Sequence, residues 1–481
     1  MYIIIKHVWF HPTIKINYIR MKRTLLLIFA AAMIMYSCGS GDSQKKSDKK
    51  MENKHAFRLI TVDPGHFHAA LVQKSMYADV SPDVNVYAPD GPDVQQHLDR
   101  IASYNTRAED PTHWNEIVYR GNDFFEKMLA DRKGNVVVLS GNNRKKAEYI
   151  TRSVSAGMNV LADKPMIIKA EDFSSLEKAF AMAEEMGIQL YDIMTERYEI
   201  TSILQKLLSQ REEVFGTIIP GSKDEPAVSK VSVHHFSKLV SGSPLIRPAW
   251  FFDVDQQGEG IVDVTTHLVD LIQWECFPEQ ILNPADVSIA EARRWPTILT
   301  PEEFKGVTGL ESFPDYLQKD VQNGKLHVYS NGEFVYQLKN IWAKVSVEWR
   351  YQAPPGGGDT HYSVMRGSQC DLTIRQGADE NFIPVLYAEN IKGISVNELT
   401  EKINQALAEF PYEGISTETT GKNTIKINIP ANLRVGHEEH FGQVTAQFIE
   451  YLNAGRLPDW EVAGMITKYY TTTSALKKAR E

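Results

Sequence analysis

Cysteines are few in this 481-residue sequence, basic residues do not exceed acidic ones, and long apolar runs are scarce; each of these deficits excludes a class of protein. Only three cysteines occur, Cys38, Cys276 and Cys370, and their spacing indicates neither a disulfide-rich scaffold nor a metal site. A disulfide between Cys276 and Cys370 stays open. The net charge is -9, and the globular part has no basic run, so we expect no nucleic-acid partner.

The N-terminal region predicts export rather than a folded domain. A positive segment begins at Met21, and Leu25 to Met35 form an apolar run of about eleven residues, too short to cross a bilayer, which needs about 20. Ser37-Cys38-Gly39 then resembles a bacterial lipoprotein signal. The resemblance implies a lipid on Cys38, which would anchor the protein to a membrane of the cell envelope, on the periplasmic side or at the outer membrane. A plain signal peptide or an uncleaved anchor is the alternative.

The chain divides into short N-terminal segments and two large domains. Its length favours two or three domains, and a hydrophobic content of 43% is enough for a core. The predicted divisions are an extension before the true start (1–20), a lipoprotein signal (21–38), a flexible tether (39–55), a dinucleotide-binding domain (56–190) and a substrate-binding domain (191–481) with an insertion at about 278–340.

The first large domain alternates apolar, strand-like runs with helical segments. Strands are predicted at Phe57 to Val62, Val84 to Ala88, Glu116 to Tyr119, Asn135 to Ser140 and Asn159 to Ala162. Such alternation is typical of a Rossmann-like, doubly wound parallel sheet in an α/β protein, where ligands bind beyond the carboxyl ends of the strands. The residues just after each strand are therefore the candidate binding residues.

The turn after the first strand matches the dinucleotide fingerprint G-x-G-x-x-G only in part. Its positions read Asp63, Gly65 and His68, so one glycine of three remains and a carboxylate would lie near two phosphates. We still assign this turn, with His66, to cofactor binding. Asp90, after the second strand, would bind the adenosine ribose and favour NAD over NADP, because an acid repels a 2′-phosphate. A plain turn at Asp90 is the alternative.

The later motifs resemble the Gfo/Idh/MocA oxidoreductases. One strand ends in the segment Ser140 to Asn143, and after a helix the tripeptide Asp163-Lys164-Pro165 takes the place of the family's Glu-Lys-Pro. The resemblance implies that Ser140, Asn143, Asp163 and Lys164 contact a nicotinamide cofactor.

A second block agrees with this resemblance. Gly258 to Asp263, then His267 and Asp270, is similar to the family's glycine-rich segment followed by Asp-x-x-x-His-x-x-Asp. The family roles make His267 the base, Lys164 the group that stabilises charge on the reacting oxygen, and Asp263 the group that orients substrate or histidine. A loop lysine and a core histidine are the alternatives. For Asp270 we predict a structural role.

The second domain changes pattern from about residue 214. Runs of β-branched and aromatic residues without regular helices predict an α+β domain whose mostly antiparallel sheet closes the active site. We assign Glu196, Arg197, His234 and Asp263 to the substrate, with a salt-bridged loop as the alternative for the first two. Because His234 and His235 are neighbours in a predicted strand, they point to opposite faces.

Export constrains the function, because free nicotinamide cofactor is scarce outside the cytoplasm. We therefore expect a tightly bound, recycled NAD, with NADP less favoured, and a carbohydrate substrate oxidised or reduced at a secondary hydroxyl. One alternative is an NAD-dependent glycosidase that works by transient oxidation and elimination. Another is a non-catalytic sugar-binding lipoprotein whose cofactor loop has eroded. The resemblance also implies a homo-oligomer built through the second sheet, and we expect no metal.

Overall fold

The computed structural model describes residues 55–240 and 243–481. The predictions for the leader, including the lipid on Cys38, lie outside these residues. Among the described helices, none is long and apolar enough to cross a membrane.

A six-stranded parallel sheet forms the first domain and confirms the predicted doubly wound fold. Its order is β3-β2-β1-β4-β5-β6. The strands are β1 (Leu59–Val62), β2 (Asp83–Ala88), β3 (Asn115–Arg120), β4 (Val136–Leu139), β5 (Asn159–Asp163) and β6 (Leu190–Ile193). The helices are α1 (His68–Leu71), α2 (Pro92–Thr106), α3 (Phe124–Asp131), α4 (Lys146–Ser155) and α5 (Phe173–Met186).

The sequence of the central strands explains their position. All four residues of β1 and of β4 are apolar or β-branched, and all are buried. Strands covered by helices on both faces need such continuous apolar runs. The chain reverses its winding direction between β1 and β4, and this switch point opens a crevice at the carboxyl ends of the strands.

One helix of this domain is much shorter than predicted. The segment His68 to Met76 has helical spacing, but only the single turn α1 is helical. The backbone carbonyl of Gln73 accepts a hydrogen bond from the indole of Trp114 at 2.6 Å instead of continuing a helical ladder. The crevice therefore has only one turn of helix after β1.

A ten-stranded, mostly antiparallel sheet forms the second domain, as predicted. Its path is β10-β12-β13-β7-β14-β15-β16-β18-β17, with β11 beside β12, and β7 and β13 run parallel to each other. The strands are β7 (Val228–Ser237), a separate two-stranded ribbon of β8 (Leu239–Val240) and β9 (Ser243–Pro244), β10 (Val287–Leu299), β11 (Val321–Gln322), β12 (Lys325–Leu338), β13 (Ile341–Gln352), β14 (Thr360–Arg366), β15 (Asp371–Arg375), β16 (Val385–Glu389), β17 (Ser416–Gly421) and β18 (Thr424–Asn428).

The remaining helices belong to the second half of the chain. They are α6 (Ile200–Ser209), α7 (Glu212–Phe215), α8 (Val254–Gln257), α9 (Gly260–Asp263), α10 (Thr265–Cys276), α11 (Pro301–Thr308), α12 (Val396–Glu409), α13 (His437–Ala454) and α14 (Asp459–Ala479). The segment read as an insertion contributes β10, β11 and β12, so it extends one side of the sheet.

The C-terminal helices pack against the first domain. Phe441 and Phe448 of α13 and Tyr469 of α14 are buried in the same apolar core as β1 and β4. Neither α5 nor α14 was predicted from the sequence. The end of the chain thus closes the crevice from a third side, which places the start of α13 beside the turn after β1.

Candidate active site

A cavity of about 1390 Å³ lies where the two domains meet. It is bounded by the carboxyl ends of the first sheet, by one face of the second sheet and by the start of α13. Ligand pockets usually measure about 300–1,000 Å³, so this one is large enough for a cofactor and a substrate together. Its walls include His66, His68, Asn143, Asp163, Lys164, Glu196, His234, Asp263 and His267.

The three residues predicted to be catalytic meet at this cavity. The Lys164 Nζ atom, just beyond β5, donates a hydrogen bond to Asp263 Oδ1 at 2.6 Å. Gln257 donates to the other oxygen of Asp263 at 3.1 Å, which holds the carboxylate in place. His267 lies one turn further along, where α9 and α10 form a nearly continuous helix, so it reaches the same wall.

Burial shapes the chemistry of His267. Desolvation, followed by the nearby charge of Lys164, holds the pKa of this imidazole well below its ordinary value. Its Nδ1 atom is buried and has no hydrogen-bond partner within the described residues. The imidazole is therefore neutral at pH 7 and has a nitrogen available to a ligand, as a proton acceptor requires.

Asp163, beside Lys164, is the centre of a second polar cluster. Its Oδ2 atom lies 3.0 Å from Ser140 Oγ, 3.0 Å from His68 Nδ1 and 3.4 Å from His66 Nδ1. Burial alone would raise the pKa of Asp163, but the two histidines overcome that effect and hold it well below its usual range. Lys146 donates to the Asp163 backbone carbonyl at 2.9 Å.

The remaining predicted cofactor residues do not line the cavity. Asp63 is largely buried, and desolvation together with the charge of Asp93 raises its pKa to about 6. Asp90 is exposed and pairs with Arg120 at 2.9 Å. The backbone carbonyl oxygen of Asp63 packs closely on Gly141, because a Cβ atom added to residue 141 would lie only 2.0 Å from that oxygen.

Gly65 has protein atoms where a cofactor phosphate would be expected. A Cβ on Gly65 would lie 3.1 Å from Asp93 Oδ2 and 3.1 Å from the ring of Trp250. In a Rossmann fold the pyrophosphate lies against the equivalent glycine. The side chains of Trp250 and Asp93 therefore cover the pyrophosphate position in this arrangement.

The cavity fits the nicotinamide end of a dinucleotide but not its pyrophosphate. At the nicotinamide end, Asn143 Oδ1 and His267 Nδ1 are buried without partners within the described part of the chain. Such atoms suit the amide and hydroxyl groups of a nicotinamide nucleoside. At the pyrophosphate end, the carboxylates of Asp63 and Asp93 and the indole of Trp250 do not fit two phosphates. Binding of the whole cofactor therefore requires Trp250 and Asp93 to move.

The predicted substrate residues separate into two groups. Glu196 lines the cavity, and burial and the neighbouring Glu199 raise its pKa to about 7. Arg197 does not line it. Its guanidinium makes ion pairs with Asp270 at 2.6 Å and with Glu461 at 2.8 Å, which favours the salt-bridged alternative over a contact with substrate. The structural role predicted for Asp270 fits these contacts.

The second sheet contributes the predicted residue His234 and, near it, Asp359, which the sequence did not single out. His234 lines the cavity, whereas His235 is buried beside Asp359 at 3.2 Å. Asp359 also accepts a hydrogen bond from Lys238. Asp359 follows the segment Pro354 to Gly358, and only the fold brings that segment to the cavity. His437 and His440, at the start of α13, complete the third wall.

Comparison with known proteins identifies a family. Residues 204–480 match the family described as "Putative oxidoreductase C terminal domain". A crystal structure of a "putative oxidoreductase" from Parabacteroides merdae ATCC 43184 is similar over 89% of this chain and 98% of its own, with 56% identity and a TM-score of 0.86.

More distant structures share the fold alone. Levoglucosan dehydrogenase, solved in complex with NADH, matches 88% of this chain and 96% of its own at 12% identity, with a TM-score of 0.57. The protein GenD2 from gentamicin A biosynthesis, solved in complex with NAD, matches 89% and 95% at 15% identity, with a TM-score of 0.52. A search of curated proteins gives no match.

Proposed function

The chain belongs to the oxidoreductase family with this C-terminal domain, of the Gfo/Idh/MocA type, and on that premise we propose that it oxidises or reduces a secondary hydroxyl of a sugar or glycoside with a nicotinamide cofactor. The observation that carries the proposal is the contact between Lys164 and Asp263 at 2.6 Å, with neutral His267 beside it on the same cavity wall.

Each residue of this trio has a distinct task. His267 accepts the hydroxyl proton through its neutral imidazole. Lys164 donates a hydrogen bond to the reacting oxygen and stabilises the negative charge that develops there. Asp263 positions Lys164 and balances its charge. The nicotinamide ring, when bound, supplies the hydride acceptor.

We further propose that the cofactor is NAD rather than NADP. Asp90 follows β2, where an acid binds the adenosine ribose and repels a 2′-phosphate. Arg120 lies 2.9 Å from Asp90 and offsets part of that repulsion. We therefore expect a preference for NAD that is modest and that increases in Arg120→Ala.

Glu196 favours a second candidate reaction. Because its pKa is raised to about 7, about half of this carboxyl is protonated at neutral pH. Simple hydroxyl oxidation does not need a second acid, whereas expulsion of an aglycone does. The second candidate is therefore redox-neutral glycoside cleavage by transient oxidation, elimination of the aglycone, addition of water and reduction, with Glu196 as the acid.

We also propose that the protein is a lipoprotein of the bacterial cell envelope. The support is the apolar run that ends just before Cys38. Cys38→Ala should abolish labelling of the protein with radioactive palmitate and release it from membranes. Undiminished labelling of this variant would contradict the anchor without touching the enzymatic proposal.

One experiment separates the enzymatic proposals. The full chain is purified from membranes and denatured, and the released nicotinamide is quantified. The native protein is then incubated with sugars and aryl glycosides. Stoichiometric cofactor with accumulation of reduced cofactor supports net oxidation, and aglycone release without that accumulation supports glycoside cleavage. Absence of released cofactor, together with no rise in melting temperature with NAD or NADP, would refute both.

A further inference from the structure

Two histidines stand where a dinucleotide fingerprint would leave room for phosphates. The turn after β1 continues from Gly65 into His66-Phe67-His68, and both imidazoles point towards Asp163 at the end of β5. One nitrogen of each histidine and one oxygen of Asp163 all lie within 4.8 Å of one another. The cofactor proposal gives these two histidines no defined task.

We propose that His66, His68 and Asp163 bind a divalent transition-metal ion of the zinc class at the wall of the cavity. The separations of Asp163 Oδ2 from the two Nδ1 atoms are 3.0 and 3.4 Å. Two atoms that each bind one ion at about 2.1 Å lie roughly 3.0–3.4 Å apart at octahedral to tetrahedral angles. One nitrogen of each imidazole lies within 4.8 Å of the other, so a turn of the two rings would bring them to a common ion.

Hydrogen bonding within the cluster leaves one nitrogen atom poorly paired. Ser140 Oγ and His68 Nδ1 both donate to Asp163 Oδ2, so an ion would replace the His68 hydrogen bond, with the ring proton carried on Nε2 instead. The Nδ1 atom of His66 is buried, and its contact with Asp163 Oδ2 at 3.4 Å is too long for a well-formed hydrogen bond. Such a poorly paired buried nitrogen is unfavourable, and a metal ion would provide a stronger contact.

The surroundings hold the carboxylate ligand as metal sites usually require. Ser140 Oγ donates to the carboxylate of Asp163, and Lys146 Nζ donates to its backbone carbonyl. Neither residue is a proposed ligand, so both would orient Asp163 without contacting the ion. Two lysines lie nearby: Lys164 is paired with Asp263 at 2.6 Å, and Lys146 donates to the Asp163 carbonyl at 2.9 Å.

The donor set selects the class of ion. Two imidazoles and one carboxylate suit zinc, manganese or iron, whereas magnesium and calcium prefer oxygen ligands alone. All three residues also line the cavity, so the ion's remaining positions would face it. A substrate oxygen or a water molecule would bind the ion there, close to Lys164, which directly follows the ligand Asp163 in the chain.

The test measures metal rather than activity, so its failure is distinct from failure of the proposed function. Full-length protein is stripped with a chelator and titrated calorimetrically with zinc, manganese and magnesium chlorides, and the purified protein is analysed for metals. We expect one stoichiometric site for zinc and none for magnesium. His66→Gln, His68→Gln and Asp163→Asn should each weaken zinc binding more than about 100-fold, and Ser140→Ala about 10- to 100-fold.

Two controls keep the result interpretable. His440→Ala removes a cavity histidine outside the cluster and should leave zinc affinity unchanged, and circular dichroism establishes that each variant is folded. If the ligand variants unfold, cobalt(II) added to the stripped wild-type protein should give visible absorption bands that zinc abolishes. No stoichiometric zinc or cobalt site in the wild type, or equal affinity in all folded variants, would overturn the proposal.

Discussion

The indole nitrogen of Trp250 donates a hydrogen bond to a carboxylate oxygen of Asp93 at 2.8 Å, and the pair lies against Gly65. Trp250 precedes α8 in the second domain, and Asp93 lies in the first turn of α2. The contact therefore joins the two domains directly over the position of a cofactor pyrophosphate. The fingerprint glycine Gly65 is therefore present, but the side chains of Trp250 and Asp93 lie where the pyrophosphate would contact it.

Asp93→Asn should strengthen binding of NAD several-fold. Asparagine can still accept the hydrogen bond from Trp250, but one negative charge near two phosphates is removed. Isothermal titration with NAD measures the change. Asp99→Asn alters an exposed carboxylate on the same helix and should leave the affinity unchanged. Weaker binding in Asp93→Asn alone would show that the Asp93 carboxylate supports the cofactor.

Lys164→Met and His267→Ala should each remove most of the turnover while the protein keeps its cofactor. We expect kcat to fall about 100- to 1,000-fold for the lysine and about 100- to 10,000-fold for the histidine. Single-turnover kinetics and nicotinamide release from the denatured variants give both readouts. Lys169→Met changes an exposed lysine five residues away and should behave as wild type. Full activity in either active-site variant would refute the assigned role.

Glu196→Gln should separate the two candidate reactions. If Glu196 is the acid for aglycone departure, its loss lowers aglycone release at least about 100-fold but leaves hydroxyl oxidation much less affected. In the wild type, aglycone release should fall as pH rises through about 7, where Glu196 loses its proton. A pH profile of glycoside cleavage for both proteins measures this. A profile unchanged by Glu196→Gln would rule out this acid.

Glu116→Gln should stabilise the protein at alkaline pH. Burial raises the pKa of Glu116 to about 7, above its unfolded value near 4.3, so the folded state binds this proton more tightly. The contribution of Glu116 to the free energy of unfolding is fully present below about pH 4.3, and it is lost as the pH rises through about 7. The gain in unfolding free energy should therefore reach about 3 kcal/mol at pH 8.5 and shrink towards pH 5.

Urea denaturation at both pH values checks that prediction. Glu116 accepts a hydrogen bond from Gln73 at 2.6 Å, and glutamine at position 116 can accept the same bond. Glu177→Gln, on the exposed face of α5, is the matched control and should give no pH-dependent difference. An equal effect of Glu116→Gln at both pH values would contradict the raised pKa.

Lys468→Met should destabilise the contact of α14 with β6 and α10. The Nζ atom of Lys468 lies 2.8 Å from carboxylates of both Asp192 and Asp270, and the side chain is fully buried. Asp270 keeps its ion pair with Arg197, but the buried carboxylate of Asp192 loses its cation, which should cost about 3–5 kcal/mol. Chemical denaturation measures it. Lys478→Met, near the exposed end of the same helix, should change stability by less than about 1 kcal/mol.

Local sequence patterns predicted the first sheet because its strands are continuous apolar runs, as in β4, and such runs carry their own signal. The short α1 was overestimated, since the helical spacing after His68 does not show that Trp114 binds the carbonyl of Gln73. A salt-bridged position for Arg197 was one of two alternatives, but its partners could not be named, because Asp270 and Glu461 are distant in the chain.

The sequence by itself determined the doubly wound sheet and the antiparallel second sheet, because periodicity is a local property, and the family resemblance of its motifs made Lys164, Asp263 and His267 the candidates for catalysis. Only the tertiary structure decided what surrounds them. It placed Trp250 and Asp93 over Gly65, and it brought His66, His68 and Asp163 together at one wall. The physical reason is that burial and close contact depend on residues far apart in the chain, and these contacts determine pKa values, metal ligation and access to the cofactor position.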